Sequence, residues 1–210
     1  MEFLTIFVAG FIWYQIIAIW GISIGLHRYF SHNQNIKISK TSEVIMLFLA
    51  LLAGSRSPLG WCGAHRLHHK YVDTKFDPHS PDYLGFWKVL FNYWSVSNIP
   101  ISIIKDLVKN PRVMFFHKNW KYIYISFAIL ILLIDVYLFV TLIFIPAILG
   151  FFGYGLFNAL GHKNFKPRTN LWVNILSAGE GFHNVHHNNQ KLTRLNKYDI
   201  SGIVIERFMK

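Results

Sequence analysis

The chain has very little cysteine and few charged residues for its length. Its single cysteine, Cys62, excludes an internal disulfide, a redox-active cysteine pair and an iron–sulfur cluster held by the chain alone. Charged residues make up 15% of the 210 residues and hydrophobic residues 53%. A soluble domain of this size buries less apolar surface, so the composition predicts a membrane protein with one domain over residues 1–210. We expect any electrons that it uses to come from another molecule.

Acidic residues are also scarce, and the basic residues have an uneven distribution. The chain has 10 Asp and Glu against 21 Lys and Arg, which gives a net charge of +11. These basic residues form neither a patch nor a tail, so we do not expect nucleic acid as a partner. Residues 28–121 carry 13 of them and residues 163–210 carry the other 8. The positive-inside rule places both segments on the cytoplasmic side.

Two apolar runs are long enough to cross a bilayer, which takes about 20 residues. Phe3–Leu26 has 24 residues without a charge, and Tyr122–Gly161 has 40 residues with Asp135 as the only charge. The predicted fold is an all-α integral membrane protein with about three transmembrane helices, at residues 3–26, 122–138 and 140–161. Residues 27–121 and 162–210 then form a cytoplasmic helical cap. Val44–Gly54 is too short to span and is predicted to be an interfacial or buried helix.

Histidine is abundant, and eight of the eleven histidines lie in three short clusters. The clusters are His27/His32, His65/His68/His69 and His183/His186/His187. Imidazole is the commonest neutral metal ligand, and a zinc ion is satisfied by four ligands. So many histidines therefore predict a site for two ions in the cap.

The spacing within each cluster predicts how the rings are presented. The second and third clusters share an i, i+3, i+4 spacing, which places three imidazoles on one helical face. His27 and His32 are five residues apart, about 140° on a regular α-helix, so the first span is expected to end or unwind between them.

These three boxes, in this order, resemble those of the integral-membrane fatty acyl desaturases of the stearoyl or Δ9 type. Asp77-Pro78-His79 after the second box and Gly179-Glu180-Gly181-Phe182 before the third strengthen the resemblance, which is closest to the bacterial acyl-lipid members. Asn158 and His162 resemble an Asn-x-x-x-His motif of that family, whose histidine is a ninth ligand and whose asparagine holds a metal through water. The implied metal ligands are His27, His32, His65, His68, His69, His162, His183, His186 and His187.

The resemblance implies a non-haem di-iron enzyme that uses O₂ and two electrons to introduce a cis double bond into a saturated acyl chain. An external protein, such as a ferredoxin or cytochrome b5, is the expected electron donor.

Four residues close to the ligands are predicted to support them. Asp73, Asp77 and Glu180 are expected to accept hydrogen bonds from imidazole N–H groups, although ordinary loop or cap carboxylates are an equal alternative. His79 is expected to support the site without binding metal. Trp61, four residues before His65, is expected to line the substrate path.

Departures from the family bear on the substrate. Acyl-CoA members carry an Arg-Asp pair that engages the CoA head group where this chain has Gly63-Ala64. An acyl group in a membrane lipid is therefore expected ahead of an acyl thioester. The family's first span has no counterpart here, so either a partner subunit replaces it or the chain is a minimal version.

Two other functions fit parts of the pattern. A histidine-box fatty acid hydroxylase or alkane monooxygenase would share the metals and O₂ but insert oxygen. A membrane metal-binding or transport protein would also bind ions, but it would place polar ligands along its spans, and Phe3–Leu26 has no ionisable group. The box spacing favours desaturation over both.

Overall fold

The computed structural model describes residues 3–96 and 98–209, and the fold over them is all-α, as predicted. These residues contain no β-strand, only two isolated bridges. The helices are α1 (Phe3–Ile17), α2 (Lys40–Leu52), α3 (Pro58–Tyr71), α4 (Pro81–Leu84), α5 (Phe86–Leu90), α6 (Ile101–Lys109), α7 (Pro111–Ile134), α8 (Val136–Phe139), α9 (Ile145–Gly161), α10 (Leu171–Leu176), α11 (His183–Asn188) and α12 (Ile200–Phe208).

The first helix changes its winding before it reaches the histidines. After α1 the chain continues without a break as a π-helix over Ala18–Ser31. The helix ends at Ser31, between His27 and His32, as the sequence predicts. It does not unwind, however, because the i→i+5 bonding of a π-helix places residues five apart one turn from each other. The His32 amide accordingly donates to the His27 carbonyl at 3.1 Å, and the two rings lie 4.9 Å apart.

The short helix α2 packs closely along the π-helical segment. Its Ser39 cap accepts the Ser42 amide, and its 13 residues span about 20 Å, too little to cross a bilayer. Gly21 allows the close approach, since a Cβ there would lie 2.3 Å from the Ala50 nitrogen. One face of α2 is buried and Val44 and Ile45 are exposed, so a short helix does occupy the stretch predicted to be interfacial or buried, and it begins four residues earlier, at Lys40.

Asp135 interrupts the second apolar run. α7 ends at Ile134, and the Asp135 carboxylate caps α8 by accepting the Leu138 amide at 2.8 Å. The helix break thus falls at Asp135, a few residues before the approximate boundary predicted at residues 138–140. A carboxylate that must remain solvated and can cap the next helix ends the first arm of the hairpin earlier than length alone suggests.

Among the described residues, two helices are long and apolar enough to cross a membrane. They are Phe3–Ser31, with 29 residues, and Val136–Gly161, with 26. The second runs through α8, a short π-helical segment and α9. The main core lies where the first helix meets α2, α3, α6 and α7; Leu26, Leu47, Cys62, Leu107 and Phe116 are buried there. This core fixes the ends of the first helix and α3, which carry five of the clustered histidines.

Candidate metal centre

Nine histidines converge on two adjacent points. Five of them form the first cluster, in which every ligand nitrogen lies within 4.8 Å of the others: His27, His32, His65, His69 and His186. Three Nε2 pairs define its centre. The separation is 3.1 Å for His27 and His186, 2.8 Å for His32 and His65, and 3.0 Å for His69 and His186.

The other four histidines form the second cluster. They are His68, His162, His183 and His187. Their Nε2 atoms are also close, with separations of 2.8 Å between His162 and His183, 3.0 Å between His183 and His187, and 3.3 Å between His68 and His187. The rings of His69 and His187 stack at 4.3 Å where the two clusters meet.

The repeated i, i+3, i+4 spacing explains how two helices serve two points. On α3, His65 and His69 are four residues apart and both enter the first cluster, whereas His68 enters the second. On α11 the assignment is reversed: His183 and His187 enter the second cluster and His186 the first. The π-helical end of the first helix completes the first cluster, and His162, directly after α9, completes the second.

The geometry of the nitrogens fits metal ions. A metal–imidazole bond is about 2.1 Å long, so two ligands at right angles have nitrogens about 3.0 Å apart. The six Nε2 separations range from 2.8 to 3.3 Å. Imidazoles that approach through the same ring nitrogen cannot all donate to one another, but they can all direct lone pairs at a cation. The donor set therefore suits one cation in each cluster.

Burial favours the neutral form of the imidazoles whose pKa it lowers, and the neutral form is the one that binds metal. Desolvation, assisted by the neighbouring His27, lowers the pKa of His32 to about 2, and desolvation lowers the pKa of His187 to about 3. The same cause, with the surrounding histidines, holds the pKa of His65, His68 and His186 well below the usual range. These histidines therefore lose their protons when the chain folds, and metal binding does not have to displace them.

Three carboxylates contact the far ring nitrogens of three ligands. Asp77 lies 2.9 Å from His68 Nδ1, Asp73 lies 3.0 Å from His162 Nδ1, and Glu180 lies 3.1 Å from His27 Nδ1. An Nδ1–H held by a carboxylate leaves Nε2 free to face a metal. The contacts of Asp77 and Asp73 have hydrogen-bond geometry, whereas Glu180 lies at ion-pair distance from His27 without it.

Burial raises the pKa of Asp77 to about 7, because the charged carboxylate loses its hydration. His79, the fourth predicted supporting residue, is buried and stacks on His68 at 4.3 Å. Its ring nitrogens have no hydrogen-bond partner among the described residues, so its support comes from packing. Ligand atoms of His68, Asp77 and His79 also lie within 4.8 Å of one another. His68 Nδ1 is already hydrogen-bonded to Asp77, however, so it is not free to bind a further ion there.

Sequence reasoning missed a buried ionic network behind Glu180. Arg28, only 1% exposed, donates from Nε to Glu180 at 3.0 Å and from Nη2 to both oxygens of Asp199 at 2.9 and 3.0 Å. The Ser23 hydroxyl donates to the same Glu180 oxygen. Although burial opposes the charge, Arg28 and His27 hold the pKa of Glu180 below its usual range. The only signal in the sequence was an arginine directly after a ligand at the end of an apolar run.

A cavity of about 370 Å³ reaches the first cluster from outside. His27, His65 and Glu180 line its inner end, and the predicted residues Trp61 and Asn158 line its wall. Trp61 stacks on His65 at 5.3 Å, and the buried Asn158 precedes His162 by about one turn of α9. Most of the remaining wall is apolar or aromatic. Its volume falls in the usual range for a small-molecule site.

The positions of Gly63 and Ala64 lie on α3 beside this cavity. A Cβ at Gly63 would lie 2.5 Å from Ile99 Cδ1 and 3.2 Å from Ile104 Cγ2. The two isoleucines fill the space into which a larger side chain at residue 63 would project. The remaining histidine, His117, is hydrogen-bonded through Nδ1 to the Ser57 hydroxyl at 2.7 Å and lies outside both clusters.

Comparisons with known proteins agree with this site. The chain is 31% identical over 182 residues to an sn-1 stearoyl-lipid 9-desaturase of Anabaena variabilis, which covers 80% of this chain and 65% of that protein. It is 32% identical over 190 residues to an acyl-CoA C20 Delta5-desaturase of Anemone leveillei, covering 83% and 60%. A Delta-9 acyl-lipid desaturase 2 of Arabidopsis thaliana is 27% identical over 215 residues, covering 90% and 67%.

The chain thus spans less than two thirds of the length of the first two relatives. The profile of the family described as fatty acid desaturase matches residues 3–195, a stretch that contains both histidine clusters and the three carboxylates that orient them. The chain belongs to the fatty acid desaturase family.

Proposed function

We propose that this chain is an O₂-dependent fatty acyl desaturase that introduces a cis double bond, at the Δ9 position, into a saturated acyl chain carried by a membrane lipid. One observation carries the proposal: two all-histidine clusters lie next to each other, and the first of them lines an apolar cavity. An unactivated C–H bond has no acidic proton for a side chain to remove, so the chemistry belongs to a cofactor and the protein positions the chain.

The cofactor in this proposal is a pair of iron ions. The first cluster would hold one ion with His27, His32, His65, His69 and His186, and the second would hold the other with His68, His162, His183 and His187. Five nitrogen ligands in one cluster exceed the four that satisfy zinc and suit a metal of higher coordination number. Asn158, buried with an unpartnered Nδ2 on the cavity wall, would act on the second ion through water.

When bound, the iron pair supplies the oxidising chemistry: O₂, two electrons and two protons combine with two hydrogens from adjacent methylenes, giving one double bond and two waters. The chain's own residues prepare the site for this reaction. Buried imidazoles stay neutral, and Asp73, Asp77 and Glu180 orient three of them. Trp61, stacked on His65, presents a flat apolar wall that would hold the acyl chain beside the first cluster.

The membrane arrangement in this proposal has three spans, with the histidine site on the cytoplasmic side. The helices Phe3–Ser31 and Val136–Gly161 would supply two of the spans. The third would need most of the 24 residues of α7, because the apolar stretch from Tyr122 to Ile134 alone is too short to cross. The distribution of lysine and arginine supports the orientation, because all 21 lie in the two segments that carry the clusters.

The acyl carrier and the electron donor are also proposals. Two of the relatives described above are named as acyl-lipid or stearoyl-lipid desaturases and one as an acyl-CoA desaturase. A lipid-linked substrate is favoured here because Gly63 lies against Ile99 and Ile104, whose side chains would have to move to admit the arginine of acyl-CoA members. An acidic electron carrier such as a ferredoxin or cytochrome b5 would be attracted to the basic cytoplasmic face.

The test is the fatty acid profile of a desaturase-deficient host that expresses the intact chain or its His186→Ala variant. We expect new cis-monounsaturated chains, with the bond at Δ9, only from the intact protein. Membrane insertion of the variant, measured by fractionation, is the control. Hydroxylated chains in place of unsaturated ones would make the chain a hydroxylase, and metal uptake by the host without any new lipid would favour a metal-binding or transport protein.

A further inference from the structure

The cavity has one feature that the reaction itself does not use. Arg56, in the loop between α2 and α3, is the only lysine or arginine among the described residues that line the cavity. Its side chain is exposed, and the guanidinium has neither a carboxylate nor a hydrogen-bond partner in the part of the chain that the structure describes; only the backbone carbonyl of Arg56 accepts a hydrogen bond, from the Ser55 hydroxyl. The histidine end of the same cavity is buried, so Arg56 lies at the open end.

The backbone at Arg56 is held in an uncommon conformation. Its φ of +58° is in the left-handed region, which non-glycine residues rarely adopt, and the preceding Gly54 has a φ of +87°. Such conformations cost free energy and are found preferentially at functional sites. They turn the chain sharply between two helices, so that Arg56 lies beside Ser55 and Ser57, both of which also line the cavity.

The residues next to the loop indicate the level of the membrane surface in the proposed arrangement. Ser57 bonds to His117 on α7, and Trp120, one turn later on α7, lines the cavity with Arg56. Lys118 and Lys121 flank Trp120, and the apolar stretch of α7 begins at Tyr122. Tryptophan and lysine at the start of an apolar helix mark the level of lipid head groups. A cation at this level, at the mouth of an apolar cavity, faces the head group of any lipid whose acyl chain enters.

We propose that Arg56 binds the phosphate of the acyl donor's head group, so that the substrate is a phospholipid rather than a neutral glycolipid; this inference rests on the proposed desaturase function. The guanidinium matches the geometry of phosphate oxygens, and at the membrane surface its charge is only partly solvated. Helix α3 rises about 10 Å between Pro58, which follows the loop, and His65. A head group held at Arg56 therefore places the interior of the acyl chain, not its ester end, beside the first cluster.

The experiment compares the holoprotein with two variants at Arg56. Arg56→Asn removes the charge but suits the left-handed backbone, since asparagine tolerates a positive φ, and Arg56→Lys keeps the charge. Lys109→Gln on α6 is the matched control, because Lys109 is an exposed cation that does not line the cavity. The first readout is equilibrium binding of radiolabelled stearoyl phosphatidylglycerol and stearoyl galactosyl diacylglycerol to the protein in detergent, which needs no turnover. The second is KM and kcat for each lipid and for stearoyl-CoA in nanodiscs.

We expect Arg56→Asn to weaken phosphatidylglycerol binding about tenfold, the loss of one charge-assisted contact, and to raise its KM without lowering kcat. Arg56→Lys should retain most of the affinity, and the glycolipid should bind all variants alike. Equal losses for phospholipid and glycolipid, no loss, or a loss confined to stearoyl-CoA would each overturn the proposal. If phospholipid binding depends on Arg56 but the protein forms no double bonds, the proposed desaturase function is refuted and the phosphate-binding role of Arg56 stands. If desaturation occurs and Arg56→Asn does not affect it, the desaturase function stands and the role of Arg56 is refuted.

Discussion

Single carboxylates decide which nitrogen of a histidine faces the site. His68 and His162 in the second cluster and His27 in the first each have a carboxylate at Nδ1, at 2.9, 3.0 and 3.1 Å respectively. Holding Nδ1–H fixes both the tautomer and the plane of the ring, so Nε2 stays aimed at its cluster. The three carboxylates are divided between the clusters, so each cluster can be weakened on its own.

Neutral substitutes for two of these carboxylates should weaken different clusters. Glu180→Gln removes the charge behind His27 and should lower iron affinity about 10- to 100-fold at the first cluster. Asp77→Asn, behind His68, should do the same at the second. Iron retained per chain against increasing chelator concentration measures both effects, and each variant should lose one ion early and keep the other.

Glu206→Gln is the matched control for this pair, because Glu206 forms a half-exposed ion pair with Arg194 at 3.5 Å, away from the histidines. Its iron retention should equal that of the parent. If Glu180→Gln and Asp77→Asn instead lose both ions together, the carboxylates stabilise the fold as a whole and do not act on their own histidines.

Arg66 joins three elements through its guanidinium. Its five N–H groups donate to the carbonyls of Phe30, Ser31 and Ile103 at 2.6, 2.9 and 2.7 Å and to both oxygens of Asp106 at 2.6 and 2.7 Å. All five donors of the side chain are therefore used. This arrangement ties α3 and α6 to the end of the π-helical segment, directly before His32.

Arg66→Lys should therefore destabilise the protein by about 1–3 kcal/mol, because an ammonium group cannot satisfy the carbonyls and the carboxylate together. Thermal unfolding in detergent measures the loss. Asp106→Asn leaves the three carbonyl bonds intact and should have a smaller effect. A larger loss from Asp106→Asn than from Arg66→Lys would mean that the exposed ion pair, not the carbonyls, holds the three elements together.

At the scale of elements, the contact of α2 with the π-helical segment depends on Gly21. A Cβ would meet the Ala50 backbone at 2.3 Å, where no side chain can rotate away. Gly21→Ala should push α2 from the first helix, cost about 3 kcal/mol or more, and lower the iron content, because the same segment carries His27. Thermal unfolding and iron stoichiometry measure both effects.

Gly60→Ala on α3 is the matched control for this prediction, since its Cβ would meet only the Ser57 side chain, at 3.3 Å from Oγ and 3.6 Å from Cβ. It should leave the unfolding temperature nearly unchanged. A stable Gly21→Ala protein with full iron content would show that the two helices can separate without disturbing the histidines.

Local spacing explains why so much of the site could be predicted from the sequence. The division of His65, His68 and His69 follows from helical geometry, and Asp77 is only nine residues from His68. The partnership of Arg28 with Asp199 could not be predicted, because 171 residues separate them and only packing brings them together. The π winding was also hidden, since an apolar run from Phe3 to Leu26 is equally compatible with α-helix.

At the scale of the whole molecule, the buried histidines make the stability of the fold depend on pH. Burial, with repulsion between neighbouring rings, lowers the pKa of His32 to about 2, and burial lowers those of His79 and His187 to about 3, all below the unfolded value of about 6.5. Below pH 6.5 the unfolded chain therefore binds more protons than the folded chain, and stability must fall as the pH falls. Asp77, with a pKa raised to about 7 by burial, acts in the opposite direction, as do Asp73 and Asp199, whose pKa burial also raises, but the histidines with a lowered pKa outnumber them.

We therefore expect the unfolding temperature of the metal-free protein in detergent to fall steadily between pH 7 and pH 5. Iron-loaded protein should start higher and fall more steeply, because protons compete with the metal for the same nitrogens, and the two curves should converge at low pH. His117→Gln is the control: His117 lies outside both clusters and is only half-buried, and desolvation lowers its pKa too, so its removal should reduce the slope by no more than one histidine's share. If the unfolding temperature of the metal-free protein stays level or rises on acidification, the clustered imidazoles accept protons in the folded state. The statement that burial keeps them neutral and ready to bind metal would then be refuted.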